Sequence, residues 1–495
     1  GGTTSSGTGG SPSGGPGGGP GTSSASVLQY HNNASRDGLY IDAAFKATDV
    51  PMLHRDKTFN ATITGPTYAQ PLYFEGGPGG KDVLIVATEQ NEVSALNATD
   101  GSVAWRKMLG APAASSSLPC GNINPLGTTG TPIIDAASRT VFLDTMTTDS
   151  GAPKHMIHAL SIDDGSEKTG WPVDVNASAK AGSTAFDSSV QNERGALAIL
   201  NGTLYVPYGG HWGDCGNYHG WVVGVPIANP SAPTAWATRA RAGGIWAPGG
   251  IASDGTSLFV ATGNTMGATS WSDGEAIIRL PTSLAFSQMD PDYFAPSNWQ
   301  TLDSGDVDIG GSGPVLFSGK GATPSALAIS LGKDGTAYLL DRTKLGGIGK
   351  PLHSLKASSQ QIIQAATAYS SATTSYVAFR GAGTGCPNAQ GQVTALKVSA
   401  ASPPQLSVAW CAGSSGSGSP ITTTTDGTTD PIVWWVSAES GNKLFGFNGE
   451  TGDVIFGGGG ADEQMMTVNR FQTPIVAKGR IFVAGANAVY AFSVK

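Results

Sequence analysis

Short apolar runs broken by polar turns recur from about residue 70 to the end of the chain, and their order repeats. VLIVATEQNEVSALNATDGSVAWRKML, residues 83–109, reads as a β run, a turn, a second β run, an Asp-Gly turn and a last strand closing on Trp105. The runs are short, β-branched and bounded by turn residues, which predicts strands rather than helices. The same order returns in TVFLDTMTTDSGAPKHMIHALSIDDGSEKTGWPV, closing on Trp171, and in PIVWWVSAESGNKLFGFNGETGDVIFGGG. It is also present in the segments starting TLYVPYGG, TAYLLDR and QVTALKV.

Several units open on a strand carrying Thr-Pro or Gly-Pro, as in GTPIID, GSGPVLF and FQTPIVAKG. Openings near Ala69, Thr131, Gly195, Ala247, Gly313, Ala366, Pro420 and Thr473 count eight units. A supersecondary unit that cannot bury its own faces must stack on its neighbours, and four-stranded units arranged radially leave only short edges. The expected fold is therefore all-β: an eight-bladed β-propeller of four-stranded antiparallel blades. The last unit, RFQTPIVAKGRIFVAGANAVYAFSVK, supplies three strands. HRDKTFNATITG, just before the first blade, is the expected donor of the fourth, a closure that removes a free sheet edge.

Composition sharpens this picture. Seventy-one glycines and 30 prolines against 13% charged residues suit many turns and very little helix. A formal charge of −8 with no run of Lys or Arg argues against nucleic acid or an anionic membrane as the main partner. No apolar stretch approaches the roughly 20 residues of a transmembrane segment. Residues 1–25, beginning GGTTSSGTGGSPSGGPGGGPGTSS, are too poor in apolar side chains to order themselves and are expected to be a tether. Residues 26–495 are then expected to form a single propeller. A tether of this kind suits an exported chain processed before Gly1, so a periplasmic, cell-surface lipoprotein or extracellular location is expected. The four cysteines suit that compartment. Cys386 and Cys411 flank one predicted strand and turn, which leaves Cys120 and Cys215 as the longer pair; four buried free thiols are the competing reading.

Each unit carries A-x-D-x-x-T-G-x-x-x-W character, as in ALNATDGSVAW. This resembles the tryptophan-docking motif of the quinoprotein alcohol dehydrogenases, which use pyrroloquinoline quinone (PQQ), and the resemblance extends over nearly all the chain after about residue 26. It implies that Trp105, Trp171, Trp236 and Trp410 pack between blades and bind no cofactor. In that family a G-G-x-x-W turn supplies a tryptophan under the quinone and a following T-G-N supplies an asparagine to calcium. GGIW and ATGN carry those roles to Trp246, with Gly244 in the same turn, and to Asn264. DVDIGGSGPVLF aligns Asp308 with the catalytic base, and KDGTAYLLDR places Lys333 where a cation contacts the quinone oxygens. A flat quinone needs an aromatic floor, a hard cation needs oxygen ligands, and alcohol oxidation needs a base.

The chain also departs from that pattern. PCGNINPLG keeps only Cys120 of an adjacent cysteine pair and has Pro125 where an arginine is expected. His211 in GGHWGDCG and Tyr68 in TYAQPL stand where two glutamates are expected. Arg194 in QNERGALAIL is the candidate replacement cation for the cofactor, and His211 a candidate metal ligand. HWGDCGNYH could hold a transition metal through His211, Asp214 and His219; the alternative is that these side chains satisfy backbone groups in a glycine-rich loop. The resemblance implies an exported oxidoreductase acting on small alcohols or sugars with PQQ and calcium. No C-x-x-C-H haem site is present, so electrons would pass to an external acceptor. The alternatives are a noncatalytic propeller binding an envelope protein or glycan, similar to the outer-membrane assembly lipoprotein that shares this repeat, and a polysaccharide lyase or hydrolase built on Arg194, His211 and His219.

Overall fold

A computed structural model describes residues 25–149 and 151–494; the expected tether lies, apart from Ala25, outside them. Eight small antiparallel sheets follow one another along the chain, and the eight-bladed all-β propeller is borne out. The innermost strands are Leu72–Phe74, Ile133–Asp135, Ala198–Leu200, Ala252–Ser253, Val315–Ser318, Thr367–Ser370, Ile421–Thr424 and Ile475–Ala477. Each begins one to five residues after an opening read from the sequence. Helix is confined to Val175–Ser178, Trp299–Ser304 and a few single turns.

The blades bury their faces against one another rather than around a single core. One cluster joins blades one and two through Trp105, Ile85 and Leu143, and another joins blades two and three through Phe142, Tyr208 and Trp221. The docking tryptophans behave as the motif implies. Trp105 donates Nε1–H to the Ile162 carbonyl (2.6 Å) and covers Gly165 of the next blade, where a Cβ would meet the ring at 2.7 Å. Trp410 repeats this on the seventh blade, donating to the Gly449 carbonyl (2.8 Å) over Gly452. Glycine is required there twice over: the turn has positive φ, and the ring leaves no room for a side chain.

Closure follows the expected route. Arg480–Ala484 and Ala488–Ser493 complete the eighth blade with His54–Arg55 and Ala61–Thr62, which both pair antiparallel to the last strand. Both cysteine pairs form disulfides, Cys120–Cys215 and Cys386–Cys411.

Residues 27–42 lie outside the repeating pattern and have a distinct role. Val27 pairs with Tyr73 of blade one. The carbonyls of Leu28, Ala34, Ser35, Asp37 and Gly38 then accept from Ile134, Ser253, Leu316, Ala368 and Thr422, on the innermost strands of blades two, four, five, six and seven. Blade three is reached by the buried Arg36, which donates to Leu197 O (2.7 Å) as well as to Ile251 O (2.9 Å) and Tyr30 O (3.0 Å). Leu39–Ile41 adds a parallel strand to blade seven. This segment is a collar threaded around the axis. His31, Asn32 and Arg36 adopt positive φ (52°, 65° and 61°), which bends it tightly enough to follow the ring.

Candidate functional site

The segments that lead into the innermost strands converge at one end of the axis. Together they line a cavity of about 650 Å³, whose wall includes Tyr68, Thr129, Arg194, Trp246, Asp308, Gln361 and Arg470. Tyr30 of the collar joins this wall and meets Thr473 Oγ1 at 3.0 Å. The collar crosses the innermost strands farther along, so it closes the channel beneath the cavity.

One wall is a compact charged cluster on an aromatic plate. Trp246 Nε1–H donates to Asp308 Oδ2 (2.8 Å), and Lys333 Nζ lies 2.9 Å from Asp308 Oδ1 and 2.8 Å from Asp306 Oδ1. Lys333 Nζ and the Arg194 guanidinium carbon stand 5.1 Å and 5.5 Å from the Trp246 ring centroid, within cation–π range. The backbone enforces this: Lys333 N–H donates to the Asp308 carbonyl (2.9 Å). At Gly263, a Cβ would fall 2.4 Å from Asp308 Oδ2 and 3.1 Å from Trp246 Nε1, so the glycine of ATGN makes room for the pair.

Asp308 is fully buried, and desolvation raises its pKa above the ordinary carboxylate value while Lys333 and the Trp246 N–H pull it back. Glu275, also fully buried, accepts from the Ile309 N–H through Oε2 (3.0 Å), and its Oε1 has no hydrogen-bond partner among the described residues. Burial, with the nearby charge of Asp308, holds its carboxyl well above the usual range. Sequence reasoning missed Glu275; the signal available was its position immediately before the strand that follows ATGN in the same blade.

The cavity gathers Trp246, Asn264, Asp308, Lys333, Arg194 and His211, but not Gly244. Gly244 packs backbone to backbone, a Cβ there lying 3.1 Å from Gly209 Cα, and it sets the turn that carries Trp246. Pro125 is also off the wall, whereas Arg194 lines it; its Nε is buried without a partner among the described residues and its Nη2 donates to Gly210 O (3.2 Å). Asn264 presents a side-chain amide that makes no hydrogen bond among the described residues. His211 Nε2 faces the Ser189 carbonyl at 3.2 Å, and burial lowers its pKa to about 4, so the ring is neutral.

These groups offer a planar anionic cofactor such as PQQ an indole plate, two cations held over that plate to meet its carboxylates, and a buried Arg194 donor still to be satisfied. They do not fit calcium. Asp308 Oδ2 accepts from the Trp246 N–H, its Oδ1 faces the Lys333 ammonium, whose like charge repels a dication, and the neutral His211 offers nitrogen where a hard dication takes oxygen ligands. Nor does HWGDCGNYH close on a transition metal. His219 Nδ1 faces Thr238 O (2.9 Å), Asp214 accepts from Tyr218 Oη (2.6 Å), and no three His, Cys, Asp or Glu side chains converge among the described residues.

Comparison with known proteins places this geometry. Residues 66–210 match the family model described as outer membrane protein assembly factor BamB. No curated protein matches the sequence. Among solved structures, the fold is similar to quinohemoprotein alcohol dehydrogenase from Comamonas testosteroni, with TM-score 0.64 and 12% identity over 95% of this chain and 80% of that one. It is equally similar to quinohemoprotein alcohol dehydrogenase ADHIIG from Pseudomonas putida HK5, with TM-score 0.64 and 11% identity over the same shares. A europium-containing methanol dehydrogenase matches with TM-score 0.60 and 11% identity over 94% of this chain and 98% of that one. The resemblance to quinoprotein alcohol dehydrogenase-like propellers is borne out at the level of the fold, at low identity.

Proposed function

We propose that this divergent relative of the quinoprotein propellers is an exported oxidoreductase that oxidises an alcohol or sugar hydroxyl in the axial cavity with a PQQ-type cofactor and no calcium. The observation that carries the reading is the cluster of Trp246, Asp308, Lys333 and Arg194 on one wall. Trp246 would support the cofactor's face, and Arg194 and Lys333 would offset its carboxylates, a compensation that buried anions require. When bound, such a quinone supplies a two-electron acceptor.

The chain supplies the base. Asp308 takes the hydroxyl proton once Lys333 leaves Oδ1, and Lys333 has somewhere to go because Asp306, a more exposed carboxylate, already holds it at 2.8 Å. Desolvation makes Asp308 a stronger base than a free aspartate, and the Trp246 N–H fixes its plane. Electrons leave to an external acceptor. The two disulfides support an oxidising compartment, periplasmic or extracellular.

Titration with PQQ in the presence of EDTA, followed by visible absorbance and dye reduction with alcohols and aldoses, tests the reading. Saturable binding at micromolar PQQ and substrate-dependent dye reduction, with turnover lost in Asp308→Asn, are expected. A protein that binds no PQQ with or without calcium is instead a noncatalytic propeller.

A further inference from the structure

Trp212 is the sole aromatic side chain among the large exposed hydrophobics of the described residues, with 65% of its surface accessible, and it lines the axial cavity. Exposing an indole forgoes the burial that usually fixes its place, so a rigid exposed one at a cavity rim calls for an explanation. The loop holding it is fastened on both sides. His211, 2% exposed, anchors the preceding position through Ser189 O. The Cys120–Cys215 disulfide lies just beyond, and Gly213 (φ +102°) turns the chain so closely against it that a Cβ would sit 3.4 Å from Cys120 Cβ. Asp214 N–H closes the turn on His211 O (3.1 Å), and its carboxylate accepts from Tyr218 Oη. An aromatic plate is thereby held at the rim with little conformational freedom left to lose on binding.

The remaining wall decides what the plate receives. Asn122, Gln361, Asp306, Glu439 and Arg470 line the same cavity. This mixture of amides, carboxylates and a guanidinium is unlike the predominantly apolar lining of an ordinary small-molecule pocket. It offers donors and acceptors to a ligand dense in hydroxyls, while the indole offers a flat apolar face to ring C–H groups. A short aliphatic alcohol would use neither. The geometry points to Trp212 as a stacking platform for a pyranose ring, making the mouth of the cavity a saccharide subsite and assigning a sugar as the substrate class. This inference rests on the oxidoreductase reading for the reaction but not for the binding.

The test uses the full chain with its disulfides intact and a panel of hexasaccharide probes: cellohexaose, maltohexaose, xylohexaose and chitohexaose. Saturation-transfer NMR and calorimetry should detect at least one of them, with ring C–H protons receiving the transfer. Trp212→Ala should weaken that binding by roughly tenfold or more and Trp212→Phe by less, as for a central aromatic anchor. Thermal unfolding of both variants should match the parent, because the side chain is exposed. PQQ absorbance titration on the same samples separates the two readings. Saccharide binding that depends on Trp212 without PQQ binding overturns the oxidoreductase and keeps the subsite. PQQ-dependent oxidation of simple alcohols with no hexasaccharide bound at millimolar concentration, or with equal binding by Trp212→Ala, overturns the subsite.

Discussion

Lys333 and Asp308 form a pair in which each controls the charge of the other, and the consequences can be measured at single residues. Burial favours the neutral form of Asp308, and the ammonium at 2.9 Å opposes it by favouring the carboxylate. In Lys333→Met, Asp308 therefore titrates higher: the pH–rate profile for dye reduction should move to higher pH, with turnover at pH 7 down by about a hundredfold, the size of a lost general base. An unchanged profile would remove Asp308 from that role. Glu89 offers a second test, of stability. It is fully buried, accepts from Gly127 N–H and Thr129 Oγ1, and has its pKa raised to about 7 from an ordinary 4.5. The folded state thus holds a proton that the unfolded state has lost between about pH 4.5 and 7, so this group's contribution to stability falls as pH rises through that window and stays low above it. Glu89→Gln should flatten that slope and raise the melting temperature at pH 8 relative to the parent; at most about 3 kcal/mol is at stake. Trp246, Asp308 and Lys333 were legible as candidates because local motifs carry them, and Arg194 because it stands just before a predicted innermost strand. Glu89 and Glu275 were not, because their character comes from burial between blades, which short sequence windows do not encode.

The blade is the element on which most of the sequence reading rests, because each blade repeats its own turn chemistry. The tryptophan that ends one blade packs over the glycine turn of the next, so one motif encodes both a strand end and an inter-blade contact. Trp410 shows the cost of breaking it: fully buried, with its N–H on Gly449 O. Trp410→Ala should destabilise the chain by about 3–5 kcal/mol in denaturant unfolding, the cost of the cavity left by a fully buried indole. Hydrogen exchange should quicken first in the strands Leu406–Ala412 and Leu444–Asn448, which flank that contact. A loss spread evenly over all blades would mean that the tryptophan is not a local fastener. The loops above the blades are less regular. Gly244 illustrates the limit, since GGIW reads as a cofactor turn although its second glycine lies off the cavity, against the Gly209–Gly210 backbone and the Tyr218 ring.

At the scale of the whole molecule, two devices close the ring, and only one was legible. HRDKTFNATITG reads as the missing outer strand because the eighth unit visibly lacks one. The collar has no repeat and little apolar pattern; it is held by backbone carbonyls and by Arg36, so its sequence carries no periodic signal. Its consequence for function is geometric. Because the collar bonds to innermost strands below the cavity, it turns an axial channel into a pocket open at one end. Ala25 lies beside Glu75, just past the end of the first innermost strand and so away from the cavity end. The collar's grip can be tested without deleting it. Lys46 lies exposed between the collar and the strand at His54–Arg55, so a protease site inserted after it separates collar from propeller while leaving both present. Bonds to seven blades predict that the cut collar co-elutes with the propeller in gel filtration and is released only by denaturant. Adding Arg36→Ala, which removes the link to blade three and leaves buried carbonyls without a donor, should release it well below the parent's unfolding midpoint. Release on cutting alone would show that the covalent link, and not the ring of hydrogen bonds, holds the collar in the channel.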